Sequence, residues 1–354
     1  MVRLRIRKCL HSERRRPIHM RMTELQNTDA LRLLGWSDFY ADQLDAEDQA
    51  LMPMRVARVH RARMSAQSAS GTLRLDLPKG MTTADFAVGD WVLVDGAQLV
   101  VRRLDRQALL QRKTEGGRGP QLIAANVDTL FIVTSCNDDF NPARLERYLA
   151  LANEAETTPV IVLTKADQAD DIAPFYDAAA ALQRGLEVVA VNSKTPEAIE
   201  VLKPWCGVGQ TVALVGSSGV GKSTLLNTLA QKTGEDAQLT GGIREVDAKG
   251  RHTTTSRSLH AIAGGGWVID TPGIRTLHLA DLETGLAVLF AEITERVDDC
   301  RFRDCTHAHE PGCAILAAVE RGEIDPARLE RWRKLSEENA AATPDRNTPR
   351  GKRR

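Results

Sequence analysis

The sequence predicts a multidomain α/β protein in which a small β-barrel precedes a parallel sheet wrapped by helices, followed by a helical domain. Three observations predict this arrangement. Short apolar runs alternate with turn residues over 51–118, apolar runs alternate with helical patterns over 119–280, and helical patterns dominate over 281–340. The chain has 354 residues, 42% of them hydrophobic, which is enough for several separate cores.

Both ends of the chain are basic. Residues 1–21 contain eight basic side chains and one acidic side chain, and no apolar segment follows them, which excludes a secretory signal. We expect 1–50 to be an N-terminal extension whose start is partly disordered, and 341–354 to be a basic tail. Met22 would make a sensible start, so the arginine-rich leader is interpreted as an upstream extension; mass spectrometry that finds Met1 at the native N-terminus would contradict this. No apolar run is long enough to cross a bilayer.

Residues 51–118 are expected to form an OB-type barrel. Residues 51–120 contain twelve basic and six acidic side chains. This positive charge, together with the length of the segment and its glycine-containing turns, favours a barrel that binds nucleic acid. Only Phe86 and Trp91 could stack on bases, so contact with the nucleic-acid backbone is favoured. The alternative is an ordinary small barrel with a basic surface. The polar segment Thr114–Gln121 is interpreted as a linker. The expected strands are Val56–Val59, Leu73–Leu77, Trp91–Val94 and Leu99–Leu104.

Residues 119–280 alternate between strand and helix patterns, which is typical of a parallel sheet with helical crossovers. The expected strands are Thr129–Thr134, Val160–Leu163, Glu187–Val191, Thr211–Val215, Leu259–Ala263 and Trp267–Ile269. The expected helices are Pro142–Glu156, Ile172–Arg184, Glu197–Leu202 and Gly221–Gln231.

A glycine-rich loop follows the apolar strand at 211–215 and matches the pattern G-x-x-x-x-G-K-[ST]. Such a loop wraps backbone N–H groups around phosphates, while the following helix N-terminus adds a favourable dipole. Lys222 is expected to reach the β- and γ-phosphates of a nucleotide, and Ser223 to hold Mg²⁺. The expected nucleotide-binding residues here are Gly216, Ser217, Ser218, Gly219, Val220, Gly221, Lys222, Ser223 and Thr224.

Two further segments fit the switch regions of a nucleotide hydrolase. Asp270 and Gly273 belong to a D-x-x-G motif after an apolar strand, where the carboxylate can hold Mg²⁺ through water and the glycine N–H can contact the γ-phosphate. In a threonine-rich loop before it, Thr254 is the first choice for contact with Mg²⁺ and the γ-phosphate, and Thr253 the second. The alternative for this loop is a flexible polar segment without a role in binding.

The sequence lacks the glutamine that commonly positions the attacking water in GTPases. Many GTPases have a glutamine directly after D-x-x-G that orients the attacking water, whereas this chain has Ile274. Unaided hydrolysis is therefore expected to be slow. His252 is the candidate for positioning water once a partner orders its loop, and the alternative is that His252 only contacts RNA or stays mobile.

The base-recognition loops indicate guanine. Thr164, Lys165 and Asp167 follow a strand and resemble the Asn-Lys-x-Asp motif, in which the Asp carboxylate accepts hydrogen bonds from N1–H and the 2-amino group of guanine. Adenine lacks that donor pair and would leave the carboxylate unsatisfied. Asn192 and Ser193 follow the next strand and are expected to contact the guanine oxygen.

The order of these motifs predicts a circular permutation. In ordinary small GTPases the phosphate loop comes first, whereas here both guanine loops precede it. The carboxyl ends of parallel strands share one edge of a sheet, so permutation moves the termini without moving the site. The predicted fold class is therefore multidomain α/β: an N-terminal OB-type β-barrel, a circularly permuted P-loop GTPase domain and a C-terminal helical zinc-binding domain.

The zinc prediction rests on the cysteines. No secretory signal is present, so a reducing cytoplasm is expected and clustered cysteines favour metal over disulfides. The spacing C-x4-C-x-H-x5-C is suited to one structural Zn²⁺, with His309 as a rival ligand; Cys9, Cys136 and Cys206 are interpreted as ordinary buried or loop cysteines. The expected ligands are Cys300, Cys305, His307 and Cys313.

Together these motifs resemble the ribosome small-subunit-dependent GTPase A family (RsgA), over about Leu31 to Leu335. The departures are Thr164 for Asn, Asn192-Ser193 for Ser-Ala, and the basic leader. The resemblance implies a bacterial, cytoplasmic GTPase that binds the small ribosomal subunit late in maturation. It also implies that the barrel and zinc domain contact ribosomal RNA and that the subunit stimulates hydrolysis. We also expect a monomer with no membrane partner. The alternative is a GTP-gated RNA-binding scaffold with negligible turnover.

Overall fold

The structure is a computed structural model that describes residues 29–60, 63–112, 120–232, 257–271 and 281–343. The basic leader, residues 344–354 of the expected tail, and Cys9, His252, Thr253, Thr254, Gly273 and Ile274 lie outside the described residues; the first two residues of that tail instead continue the last helix, which ends at Ala342. None of the helices in the described ranges is long and apolar enough to cross a lipid bilayer.

The strands are β1 (Met52–Val59), β2 (Met64–Ser68), β3 (Gly71–Leu75), β4 (Trp91–Val94), β5 (Val100–Arg103), β6 (Leu109–Arg112), β7 (Gln121–Ala125), β8 (Thr129–Ser135), β9 (Thr158–Thr164), β10 (Glu187–Ala190), β11 (Thr211–Val215), β12 (Ser258–Ala261) and β13 (Trp267–Asp270). The helices are α1 (Asp38–Ala41), α2 (Pro142–Glu154), α3 (Ala173–Ala180), α4 (Glu197–Leu202), α5 (Lys222–Leu229), α6 (Glu283–Leu289), α7 (Ala291–Thr294), α8 (Ala314–Glu320) and α9 (Pro326–Ala342). Short 3-10 turns lie at Glu47–Ala50, Thr83–Asp85, Ala166–Gln168, Lys203–Trp205 and Val297–Asp299.

The first five strands close into a barrel. Antiparallel pairs join β1 to β2, β2 to β3, β1 to β4 and β4 to β5, and a parallel bridge between Asp76 and Leu99 closes the ring. The resulting order β1-β2-β3-β5-β4-β1 confirms the OB-type barrel. Met54, Val56 and Val92 are fully buried in its core.

The α/β domain contains the predicted parallel sheet. Its parallel strands run in the order β10-β9-β8-β11-β13, and β12 is antiparallel to β13. Every residue of β8 and β11 is buried, as expected for strands covered by helices on both faces. The barrel joins this sheet through β1, where Arg58 pairs with Ser258 of β12.

The helices of the C-terminal region pack on the α/β domain mainly through α2. Helix α6 contacts α2 closely, and a Cβ added at Gly285 would lie 2.1 Å from the carbonyl oxygen of Ala150. Glycine is therefore required at this crossing, because a larger residue would push the two helices apart.

Most predicted elements are present, with shorter or longer ends. Strand β2 was not predicted, because its small and polar residues lack an apolar run. The linker expected at Thr114–Gln121 ends earlier than proposed, since Gln121 already belongs to β7 and pairs with Arg112 of β6. The helix expected over Ile172–Arg184 is shorter, ending at Ala180.

Arg55 of β1 lies buried where the barrel, the N-terminal segment and the α/β domain meet. Its guanidinium donates to the Leu34 carbonyl at 2.6 Å, to Thr211 Oγ1 at 2.7 Å and to the Asn126 carbonyl at 3.3 Å. Burial lowers the pKa of Arg55 to about 10. These bonds hold three segments distant in sequence around one cation.

Candidate active site and metal centre

The predicted nucleotide loops meet at one edge of the sheet. Parallel strands β8, β9, β10, β11 and β13 all end there, so their following loops are neighbours. This edge brings together Thr164–Asp167, Asn192–Ser193, Gly216–Ser223 and Asp270. The order of the strands therefore brings loops that are far apart in the sequence next to one another.

The phosphate loop has the expected strand–loop–helix context. Gly216 has a φ of 137°, and a Cβ there would lie 2.1 Å from the carbonyl oxygen of Val133 on the neighbouring strand. Gly221 has a φ of 100°, and α5 begins at the next residue. Lys222 Nζ donates to the carbonyl oxygen of Gly216 at 2.7 Å and to that of Ser217. The ammonium group therefore lies within the loop that it is expected to assist.

Thr164 occupies the position at which the Asn-Lys-x-Asp motif has asparagine. Its side chain is fully buried, and Oγ1 lies within hydrogen-bond distance of the carbonyl oxygens of Thr134, at 3.0 Å, and Val220. The hydroxyl thereby joins the end of β9 to β8 and to the phosphate loop. Thr164 therefore contacts the phosphate loop from the end of the predicted guanine loop.

The two guanine loops are held differently. Lys165 adopts a left-handed conformation with φ of 54°, and the 3-10 turn that follows leaves Asp167 exposed. In the second loop, the carbonyl of Ser193 accepts from Thr228 Oγ1 at 2.7 Å, which ties this loop to α5. Asn192 Oδ1 accepts from the backbone N–H of Lys194 at 3.0 Å and shapes the turn.

Of the predicted switch residues, Asp270 lies at the end of β13, next to the phosphate loop strand. The neighbouring Thr271 donates its hydroxyl to the carbonyl oxygen of Leu214 in β11. His252, Thr254 and Gly273 lie outside the described residues, so their roles beside Asp270 stay predictions.

The four predicted metal ligands form one compact group. All their ligating atoms lie within 4.8 Å of one another. His307 Nδ1 is 3.5 Å from Cys300 Sγ and 3.6 Å from Cys313 Sγ, and these two sulfurs are 3.9 Å apart. A tetrahedral zinc site with Zn–S bonds near 2.3 Å has S–S edges of about 3.8 Å, so the spacing fits a metal ion.

The surroundings of the group fix its shape. Carboxylate oxygens of Glu310 accept from the backbone N–H groups of Thr306, Ala308 and His309 at 3.0–3.2 Å. The hydrogen bond from the Thr306 hydroxyl, with help from the backbone donors, holds the pKa of Glu310 well below its usual range. His309, the rival ligand, is exposed and lies outside the group of four.

Comparison with known proteins decides the family. A model of the RsgA GTPase domain matches residues 103–280. The chain is also 63% identical to the small ribosomal subunit biogenesis GTPase RsgA of Mesorhizobium japonicum, over 92% of this chain and 94% of that protein. The chain belongs to the RsgA GTPase family. As a member of this family it is a GTP hydrolase, which agrees with the loops at the sheet edge.

Solved structures extend the RsgA comparison to the fold. The crystal structure of YjeQ from Thermotoga maritima matches with a TM-score of 0.59 at 27% identity, over 81% of this chain and 98% of that one. YloQ, described as a circularly permuted GTPase, matches with a TM-score of 0.58 at 22% identity, over 85% and 99%. The predicted circular permutation and the predicted fold class are therefore confirmed.

One contact of the phosphate loop was not predicted from the sequence. Arg144, in the first turn of α2, donates from its guanidinium to Ser217 Oγ of the phosphate loop. The available signal was the pair Asn141-Pro142, which marks a helix start at the edge of the sheet. This helix start predicts that Arg144 lies near the edge of the sheet, but it does not predict the contact with Ser217.

Proposed function

We propose that the chain is a GTPase of late small ribosomal subunit maturation, which hydrolyses GTP to GDP and phosphate and is stimulated by the subunit. The observation that carries the proposal is the convergence of the guanine loop at Thr164–Asp167 with the phosphate loop at Gly216–Ser223 on one sheet edge. The printed name of the Mesorhizobium relative supports the ribosomal role.

In this proposal the phosphate loop binds the nucleotide phosphates through backbone N–H groups and Lys222. Mg²⁺, held by Ser223 and Thr254 with Asp270 acting through water, would neutralise charge that develops on the phosphates. Gly273 would contact the γ-phosphate, and His252 would position the attacking water when the subunit is bound. The oxygen donors of these residues are those that Mg²⁺ prefers.

Guanine recognition is assigned to Asp167, with Lys165 packing along the nucleotide and Asn192 and Ser193 at the base oxygen. Asp167 lies in the 3-10 turn Ala166–Gln168, and its carboxylate is exposed and available to a ligand. A competition assay tests this role. GTP should outcompete ATP on the native chain, and Asp167→Ala should narrow that preference; an unchanged preference would contradict the assignment.

We further propose that Cys300, Cys305, His307 and Cys313 hold one structural Zn²⁺. Three thiolates and one imidazole form a closed set, and the distances among their atoms suit a tetrahedron. The barrel and this zinc domain are proposed to contact ribosomal RNA, in a cytoplasmic protein that acts as a monomer.

The deciding experiment compares GTP hydrolysis with and without purified small subunits. Stimulation supports the proposal, whereas equal slow rates favour the alternative of a GTP-gated RNA-binding scaffold. Lys222→Ala should abolish hydrolysis in both conditions. His252→Ala should keep basal hydrolysis and lose most of the stimulation, and full stimulation in that variant would remove His252 from the mechanism.

A further inference from the structure

Arg144 lies where a fixed cation can act on the phosphate loop. It belongs to the first turn of α2, the helix that follows β8, and β8 is the direct neighbour of β11 in the sheet. The side chain of Asn141 accepts from the backbone N–H of Arg144 at 3.0 Å and caps the helix. The backbone at Arg144 is therefore anchored beside the loop rather than carried by a flexible segment.

The contact itself involves the second residue of the loop. The Arg144 guanidinium donates to Ser217 Oγ, while Lys222 Nζ donates to the carbonyl oxygen of the same serine. Two cations therefore contact Ser217: Arg144 at its side-chain hydroxyl and Lys222 at its carbonyl oxygen. None of the ion pairs within the described part of the chain includes Arg144.

Helix α2, which carries Arg144, is held by ion pairs to α9. Glu146, fully buried, pairs with Arg328 at 2.6 Å and Arg331 at 2.8 Å, both on α9. Arg147 pairs with Glu338 of α9 at 2.6 Å. A shift of α2 along its axis would break these pairs, and breaking a buried pair is costly. Arg144 is consequently presented to Ser217 by a rigid support.

From this geometry we propose that Arg144 is a positioning residue for GTP binding. It holds Ser217, and through it the phosphate loop, in the shape in which the loop N–H groups converge on the phosphates. The inference rests on the proposed nucleotide site, and it adds a residue outside the recognised loop motifs.

The test measures binding of a fluorescent, non-hydrolysable GTP analogue with Mg²⁺ to the full chain. Arg144→Ala should weaken binding roughly tenfold, as expected for loss of a charge-assisted hydrogen bond. Arg144→Lys, which keeps the charge and one donor, should recover part of the loss. Arg184→Ala is the matched control, because Arg184 forms an exposed pair with Glu295 and does not touch the loop, and it should bind like the native chain.

A double-mutant cycle separates positioning from general loosening. Ser217→Ala should weaken binding about as much as Arg144→Ala, and the double variant should be no worse than the weaker-binding single variant. In hydrolysis assays with GTP, Arg144→Ala should raise KM with little change in kcat. Additive losses, or a fall in kcat at unchanged affinity, would overturn the proposal.

Lys222→Ala makes the two possible failures distinguishable. If Lys222→Ala binds the analogue like the native chain, the proposed phosphate loop itself is wrong. If Lys222→Ala loses binding while Arg144→Ala binds normally, the nucleotide site stands and only the role of Arg144 is refuted. Far-ultraviolet circular dichroism and thermal unfolding of each nucleotide-free variant verify that it remains folded.

Discussion

At the scale of single residues, Thr164 shows how a departure from a familiar motif is accommodated. Asparagine would offer an amide at this position, whereas threonine offers one hydroxyl. In the structure that hydroxyl lies between the carbonyl oxygens of Thr134 and Val220, so it reaches both the adjacent strand and the phosphate loop. The hydroxyl therefore lies between the predicted guanine loop and the phosphate loop.

This role predicts the effect of Thr164→Val, which keeps the shape and removes the hydroxyl. The carbonyls that it contacts would lose a donor, so the free energy of unfolding should fall by about 1–3 kcal/mol and GTP binding should weaken. Isothermal titration calorimetry with GTP and Mg²⁺ measures the second effect. Thr157→Val is the control, since Thr157 Oγ1 donates to the Ala152 carbonyl at 3.1 Å and contacts no nucleotide loop. Native affinity in Thr164→Val would contradict this account.

At the scale of elements, β12 contains a histidine that burial keeps neutral. Lys232 Nζ donates to His260 Nδ1 at 2.8 Å, so the ring proton lies on Nε2, which is 2.8 Å from Ser258 Oγ. Burial, then the charges of Lys232 and Arg58, lower the pKa of His260 to about 4. The folded chain therefore resists protonation of this ring.

The sign of the resulting pH dependence follows from linkage. An unfolded histidine titrates near 6.5, so between about pH 6.5 and 4 the unfolded chain binds more protons at this position than the folded chain. The free energy of unfolding should decrease as pH falls through that window. His260→Gln should flatten the decrease in urea titrations at several pH values, whereas His60→Gln, which changes an exposed histidine outside this network, should not. An equal slope in His260→Gln and the native chain would exclude the effect.

No helix or strand lies between Cys300 and Cys313, so the region around the four ligands should depend on its metal. We expect a strong chelator to lower the melting temperature, because a structural metal contributes directly to folding. Atomic emission should give one zinc per chain, and Cys305→Ser should lose most of it. Cys206→Ser, a buried cysteine outside the group, should retain the metal. Full metal content in Cys305→Ser would show that this thiol is not a ligand.

The elements themselves were largely predictable where apolar runs are continuous. The strand at Trp91–Val94, the strand at Thr211–Val215 and the helix at Glu197–Leu202 have the predicted bounds. Strand β2 and the β6–β7 pair were missed, because half-buried strands with small or polar residues carry weak periodicity.

Side-chain partners were beyond the sequence. Arg144 meets a residue 73 positions away and Arg55 one 156 positions away, and local patterns hold no information about such pairs. The loop residues of the candidate site were predictable for the opposite reason, because each motif is contiguous and follows a strand. The domain limits stay predictions.

At the scale of the whole molecule, Glu146 joins the α/β domain to the last helix. Its Oε1 accepts from both Arg328 and Arg331, while its side chain is fully buried. Glu146→Gln keeps the shape and an oxygen acceptor but removes the charge that two arginines face. Chemical denaturation should show a loss of about 3 kcal/mol in the free energy of unfolding. Glu200→Gln, in an exposed pair with Lys203, should cost at most about 0.5 kcal/mol, and equal losses in both would contradict the argument.

The pairing of β1 with β12 has a consequence for dividing the molecule. Because Arg58 and Ser258 join the barrel strand to the α/β sheet, a cut near residue 118 would leave an unpaired strand edge on each fragment. Such edges recruit any available strand. Each half expressed alone should therefore aggregate. The two halves expressed together should associate into a soluble complex, because their strands belong to one continuous sheet.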